Sequence, residues 1–134
     1  MKCLSLKQPY AFLLSSGKKT IELRKWNTKF RGEFLIHSSK SIDLVNCRRL
    51  KIDKSKLITG ALVGYAFLYD VKKYEDKQEF INDSKKHFSI ENRYLESYKY
   101  GFLVRNAKLL EKPIPYPGKL GFFQVSGHSI PCIR

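Results

Sequence analysis

The stretch TGALVGYAFLYDV, Thr59 to Val71, constrains this chain more than any other feature. Val, Leu, Tyr and Phe dominate it, which suits a long strand on a half-buried pleated surface. Gly60 and Gly64 interrupt it. Glycines so placed suit the bulges or bends that close small barrels. The rest of the chain must supply partners for this strand.

Those partners are visible on both sides. In KCLSLK, Cys3, Ser5 and Lys7 alternate with Leu4 and Leu6, a short opening strand. Gln8-Pro9 starts a helix with Tyr10, Ala11, Phe12, Leu13 and Leu14 as its buried stripe and Gly17 as its stop. Strands follow at Thr20–Trp26 and Glu33–His37. The polar run Ser38–Ser41 caps a helix beginning near Ser41 or Ile42, with Ile42, Leu44, Val45 and Leu50 at roughly helical spacing. Residues 75–90 form an amphipathic helix with Phe80, Ile81 and Phe88 inward, and Tyr100–Leu110 returns to strand. Pro113, Pro115 and Pro117 alternate, which suits an extended edge. Gly118 opens a last strand packed through Leu120, Phe122, Phe123 and Val125. No linker, repeat or low-complexity segment divides the chain. The expectation is one α+β domain over residues 1–134: a small mixed β-barrel with helices packed around it.

A chain of 134 residues, 43% hydrophobic, suits a single core. Charge narrows the function, for the net value is +14 and it is unevenly spread. Residues 1–56 carry 14 basic and 4 acidic side chains, whereas residues 70–96 carry 6 and 7. A basic half beside a balanced segment suggests a face that attracts polyanions. Cys3, Cys47 and Cys132 are too scattered for a disulfide framework or a zinc motif. His128 and Cys132 lie four apart, but no second pair joins them, so neither metal nor cofactor is expected. The N-terminus lacks the apolar segment of a signal peptide, and no apolar run approaches a membrane span. The expectation is a cytoplasmic protein with no membrane partner.

Within the basic half, GKKTIELRKW (Gly17 to Trp26) places one acid, Glu22, among four cations. From Thr20 the pattern alternates: Ile21 and Leu23 on one face, Thr20, Glu22, Arg24 and Trp26 on the other. Glu22 there would relieve repulsion between Lys19 and Arg24 and hold the guanidinium in position. The cations suit a phosphate, and the carboxylate suits a base amine. Trp26 and Tyr10 offer flat surfaces to an unstacked base.

These residues carry a resemblance. Gly17, Lys19, Glu22 and Arg24, as G-x-K-x-x-E-x-R, resemble the signature of the ASCH-domain family, whose members have a barrel related to the PUA RNA-binding domain. KQPYA (Lys7 to Ala11) is similar to the family's helix entry, and FRGEFLIHSSK and PIPYPGKLGFFQV to its next and last strands. The resemblance implies a PUA-like barrel and a binding module for single-stranded or modified RNA. Its nucleic-acid-binding set is Lys7, Gln8, Tyr10, Lys19, Glu22, Arg24, Trp26, His37 and Lys40. A second reading is enzymatic, because some small family members remove the acetyl group from N4-acetylcytidine using a threonine, a lysine and a glutamate. Here Glu22 stands where the threonine is expected, with Thr20 nearby on the same face. An enzyme would then use Lys19, Thr20 and Glu22, with Glu22 as general base.

Overall fold

The computed structural model describes residues 1–126; the His128–Cys132 spacing lies outside them. The chain opens with β1 (Lys2–Gln8), α1 (Tyr10–Ser15), β2 (Ile21–Arg24) and β3 (Gly32–Ile42), in the expected order. Next come α2 (Leu44–Arg49), a 3-10 turn at Lys54–Lys56, and β4 (Ala61–Lys73), the long glycine-marked strand. Three short helices, α3 (Lys77–Asn82), α4 (Ser84–His87) and α5 (Asn92–Leu95), precede β5 (Tyr100–Pro115) and β6 (Phe122–Gln124). Among the described residues, no helix is long and apolar enough to cross a membrane.

The six strands form one mixed sheet in the order β2-β5-β4-β3-β1-β6. Only β1 and β3 run parallel, and α1 and β2 supply the crossover that such a pair requires. These ladders leave β2 and β6 as edges, so the pairing gives a curled open sheet where a closed barrel was expected. The curl is tight. Arg24 Nη2, at the end of β2, donates to the Ser5 carbonyl of β1 at 2.9 Å. Trp26, just beyond β2, meets the Phe122 ring of β6 with centroids 6.0 Å apart. Three register shifts between β4 and β5 allow this bending.

Alternation sorts the side chains into clusters. Leu4, Leu6, Phe34, Ile36, Ala66, Leu68, Phe102 and Val104 fill the inside of the curl under Ala11 and Leu14 of α1. Their strand neighbours Cys3, Leu35 and Leu62 face outward and pack with Phe123 and Val125. Ile21 and Leu23 of β2 join Tyr74 and Phe80 in a third cluster.

Several boundaries depart from the sequence pattern. The helix expected over 75–90 breaks into α3 and α4, because buried Asp83 accepts from Lys72 Nζ at 2.9 Å and from the Tyr74 hydroxyl at 2.7 Å. Phe80 is buried, but Phe88 ends α4 with φ of 64° and, like Ile81, is only half-buried. The second helix begins at Leu44, capped by the Asp43 carboxylate, and turns Asn46 and Cys47 inward; Leu44 and Val45 are exposed. Pro113 and Pro115 end β5, beyond the stretch where β2 pairs with its other side, so their missing N–H groups cost no ladder bond there. The last strand is short, and Leu120 lies outside it, fully exposed rather than packed.

Candidate nucleic-acid interface

The site is built where α1 hands the chain to β2. The Lys19 amide donates to the Leu13 carbonyl, which fixes this residue against the end of α1. Its side chain is only 2% exposed. Lys19 Nζ donates to the His87 carbonyl at 2.7 Å, lies 3.3 Å from Glu22 Oε1, and sits 5.0 Å from the centre of the Tyr10 ring. Glu22 Oε2 takes the Nε of Arg24 at 2.9 Å and Nη2 at 2.9 Å. The guanidinium is braced by the Ser5 carbonyl and lies 5.9 Å from the Trp26 ring. The result is a chain of charge, Lys19–Glu22–Arg24, in which one carboxylate holds two cations.

Burial lowers the pKa of Lys19 from the usual lysine value, and nearby Arg24 and Arg93 add to that; the Glu22 carboxylate opposes it. A carboxylate offers about four lone-pair positions, and the donors from Lys19 and Arg24 occupy three. One acceptor position therefore remains on a carboxylate that lines the adjoining cavity.

That cavity has a volume of about 420 Å³, within the range of small-ligand sites. Lys7, Lys19, Arg24, Arg93 and Lys119 contribute cations to its wall, and among the described residues Glu22 is its one carboxylate. Ser5, Ser39 and Ser89 add hydroxyls, and Tyr10 and Tyr98 add ring faces. Tyr98 is flanked by cations, with Arg93 5.0 Å and Lys25 5.1 Å from its centroid.

A family model described as ASCH domain matches residues 4–113, a span that holds the whole Lys19–Glu22–Arg24 chain. The protein belongs to the ASCH domain family. A 98-residue stretch of this ASCH domain is 31% identical to a CCR4-associated factor 4 homolog from Vanderwaltozyma polyspora, covering 71% of this chain and 13% of that protein. Crystal structures of ASCH from Zymomonas mobilis and of a serine-to-alanine variant share its fold with a TM-score of 0.69 at 15% identity. Each alignment covers 96% of this chain and 89% of the bacterial one.

Of the residues singled out in the sequence, Lys7, Tyr10, Lys19, Glu22 and Arg24 meet in the cavity of this ASCH domain. Gln8 does not: its buried amide donates to the Ile58 carbonyl and accepts from the Phe12 amide, joining β1, α1 and the segment before β4. Trp26 packs edge-on against Phe102 and Phe122, closing the end of the core rather than lining the cavity. Thr20 is exposed and is not part of the cavity wall.

His37 and Lys40 line a neighbouring cavity of about 800 Å³, and Ser5 borders both. His37 Nε2 lies 2.6 Å from the Tyr116 carbonyl, which can only accept, so that nitrogen carries the proton. Nδ1 is then free to accept from the Ser5 hydroxyl at 2.8 Å. Burial lowers the His37 pKa, opposed by the Tyr116 carbonyl. Gly118 covers this pair so closely that a Cβ there would lie 2.7 Å from the imidazole Cε1.

Sequence reasoning missed Arg93, Ser89 and Lys119. They arrive from short helices and loops distant in sequence, where no periodicity marks a shared surface. The one available signal was chemical: arginine beside tyrosine in a segment of balanced charge.

Proposed function

We propose that this ASCH domain binds nucleic acid without turning it over, taking a segment of single-stranded or modified RNA into the cavity over Lys19, Glu22 and Arg24. The observation that carries this reading is the Lys19–Glu22–Arg24 chain in a cavity wall to which Lys7, Arg93 and Lys119 add three further cations. Lys7, Arg93 and Lys119 suit phosphates, Tyr10 and Tyr98 suit the face of a base, and the remaining acceptor position of Glu22 suits an exocyclic amine. Hydrolysis of N4-acetylcytidine has less support. Thr20 lies outside the cavity, and Glu22 is committed to two cations, which weakens it as a base toward water.

The test is a titration of labelled single-stranded RNA across a salt series. Arg24→Ala, shown by thermal unfolding to remain folded, is expected to weaken binding at least tenfold. The exposed pair Lys7→Ala and Lys119→Ala is expected to flatten the salt slope by about 0.7 for each phosphate no longer neutralised. Unchanged affinity in both variants would remove the reading. Release of cytidine from N4-acetylcytidine, abolished in Lys19→Ala, would replace it with the hydrolytic one.

A further inference from the structure

We propose that the outer face of β4 and β5 is a second binding surface for single-stranded nucleic acid, onto which a strand leaving the cavity continues. This second surface presupposes the binding function proposed above but is made of different residues. In the middle of β4, Ala66 and Leu68 point into the core while half-buried Phe67 and exposed Tyr69 alternate to the outside; Tyr65, on the same side, packs in part against the Cys3, Leu35 and Leu62 cluster. Tyr69 remains 43% exposed. Across the ladder, Arg105 pairs with Phe67 and Lys108 with Tyr65, and both cations are exposed. The guanidinium carbon of Arg105 lies 5.3 Å from the Phe67 ring centre and 5.0 Å from that of Tyr69. Among the described residues, no carboxylate or carbonyl takes its N–H groups.

An arginine serving only solubility would extend into water. Here it stays beside two rings with its donors unspent, which suits a phosphate or the edge of a stacked base. Aromatic side chains at alternate positions of an open sheet, interleaved with cations, stack successive unpaired bases with little regard to sequence. No described helix covers this patch, for α1 packs inside the curl and α4 touches β2.

The chain from Arg24, in the cavity wall, to Gly32, which pairs with Leu68 of β4, exposes Lys25, Lys29 and Arg31 along the way. Arg31 lies 3.5 Å from Asp70, beside Tyr69. Glu33 stands opposite Phe67 on the β3 side. The cations Arg105 and Lys108 lie on the β5 side, which suits phosphates there with the bases over the rings. Along β3, Glu33 and Ser39 are six positions apart, roughly 20 Å, so a strand must span more than the cavity to touch both surfaces.

The experiment compares labelled oligouridines of about 4 and about 12 nucleotides, the lower and upper parts of the range such surfaces accommodate. In wild type, the longer strand is expected to bind more tightly. The double variant Tyr69→Ser, Arg105→Ala is expected to weaken the longer strand about tenfold or more and leave the shorter one unchanged. Tyr69→Phe, which keeps the ring, is expected to retain wild-type affinity for both. Thermal unfolding checks that each variant folds. An unchanged affinity of the double variant for the longer strand overturns the proposal. Weakened binding by the double variant with no effect of Arg24→Ala upholds this surface and sinks the cavity reading, whereas absence of binding to either oligonucleotide by wild type overturns both.

Discussion

Glu22 is the residue on which the site depends, because it is the carboxylate that joins two cations, one of them buried. Removing its charge leaves Arg24 and the buried Lys19 without the carboxylate that joins them. Glu22→Gln is expected to lower stability by about 3–5 kcal/mol, the range for an uncompensated buried charge. Lys19→Met removes a desolvated ammonium and leaves Glu22 still paired with Arg24, so the expected loss is smaller, about 1–2 kcal/mol. Urea denaturation of the two variants would check this, and the reverse order would mean that Lys19 is neutral in the folded protein. The Glu22–Arg24 pairing was legible in the alternation of TIELR. The burial of Lys19 was not, because the His87 carbonyl that receives it comes from 68 residues later.

Among the elements, the strands were easier to read than the helices. A strand declares itself by alternation that the core enforces, as in Leu4 and Leu6 or Phe34 and Ile36. The helices after β4 are short and held by tertiary packing, so residues 75–90 showed one apolar stripe where Asp83 divides two helices. Gly64 shows a subtler limit. The sequence suggested a bend, but the structure uses the missing side chain: a Cβ there would lie 2.5 Å from Ser15 Oγ and 2.7 Å from the Lys108 carbonyl oxygen. It is the point where α1 rests on β4. Gly64→Ala is expected to cost about 1–3 kcal/mol through overpacking, seen as a lower urea midpoint with an unchanged slope. A neutral result would mean that α1 shifts freely on the sheet.

For the molecule as a whole, pH acts through two interior imidazoles. Burial is the main cause of the lowered pKa of both His37 and His87, so each stays neutral in the fold below the pH at which a free histidine takes a proton. The unfolded chain then binds more protons than the folded one. Stability is therefore fully present above about pH 6.5 and falls on acidification, by up to about 1.4 kcal/mol per pH unit for each histidine. Melting temperatures at pH 7.5 and 5.5 would check the sign, and His37→Gln is expected to reduce the pH dependence. A higher melting temperature at pH 5.5 would show that one of these rings is charged inside the fold. The strongly basic character was legible from composition, but its concentration around one cavity depended on the curl of the sheet.

The tie between β1 and the segment after β5 has a consequence in time. Ser5 and His37 leave the ribosome well ahead of the Tyr116 carbonyl that orients His37 and of Lys119 and Leu120 of the cavity wall, which emerge some eighty residues after that histidine. β6 pairs with β1, so β1 is held by a strand made much later. Until then the nascent chain carries its basic N-terminal half without a finished pocket. During synthesis, the basic half is thus exposed before the cavity that gathers its cations is complete.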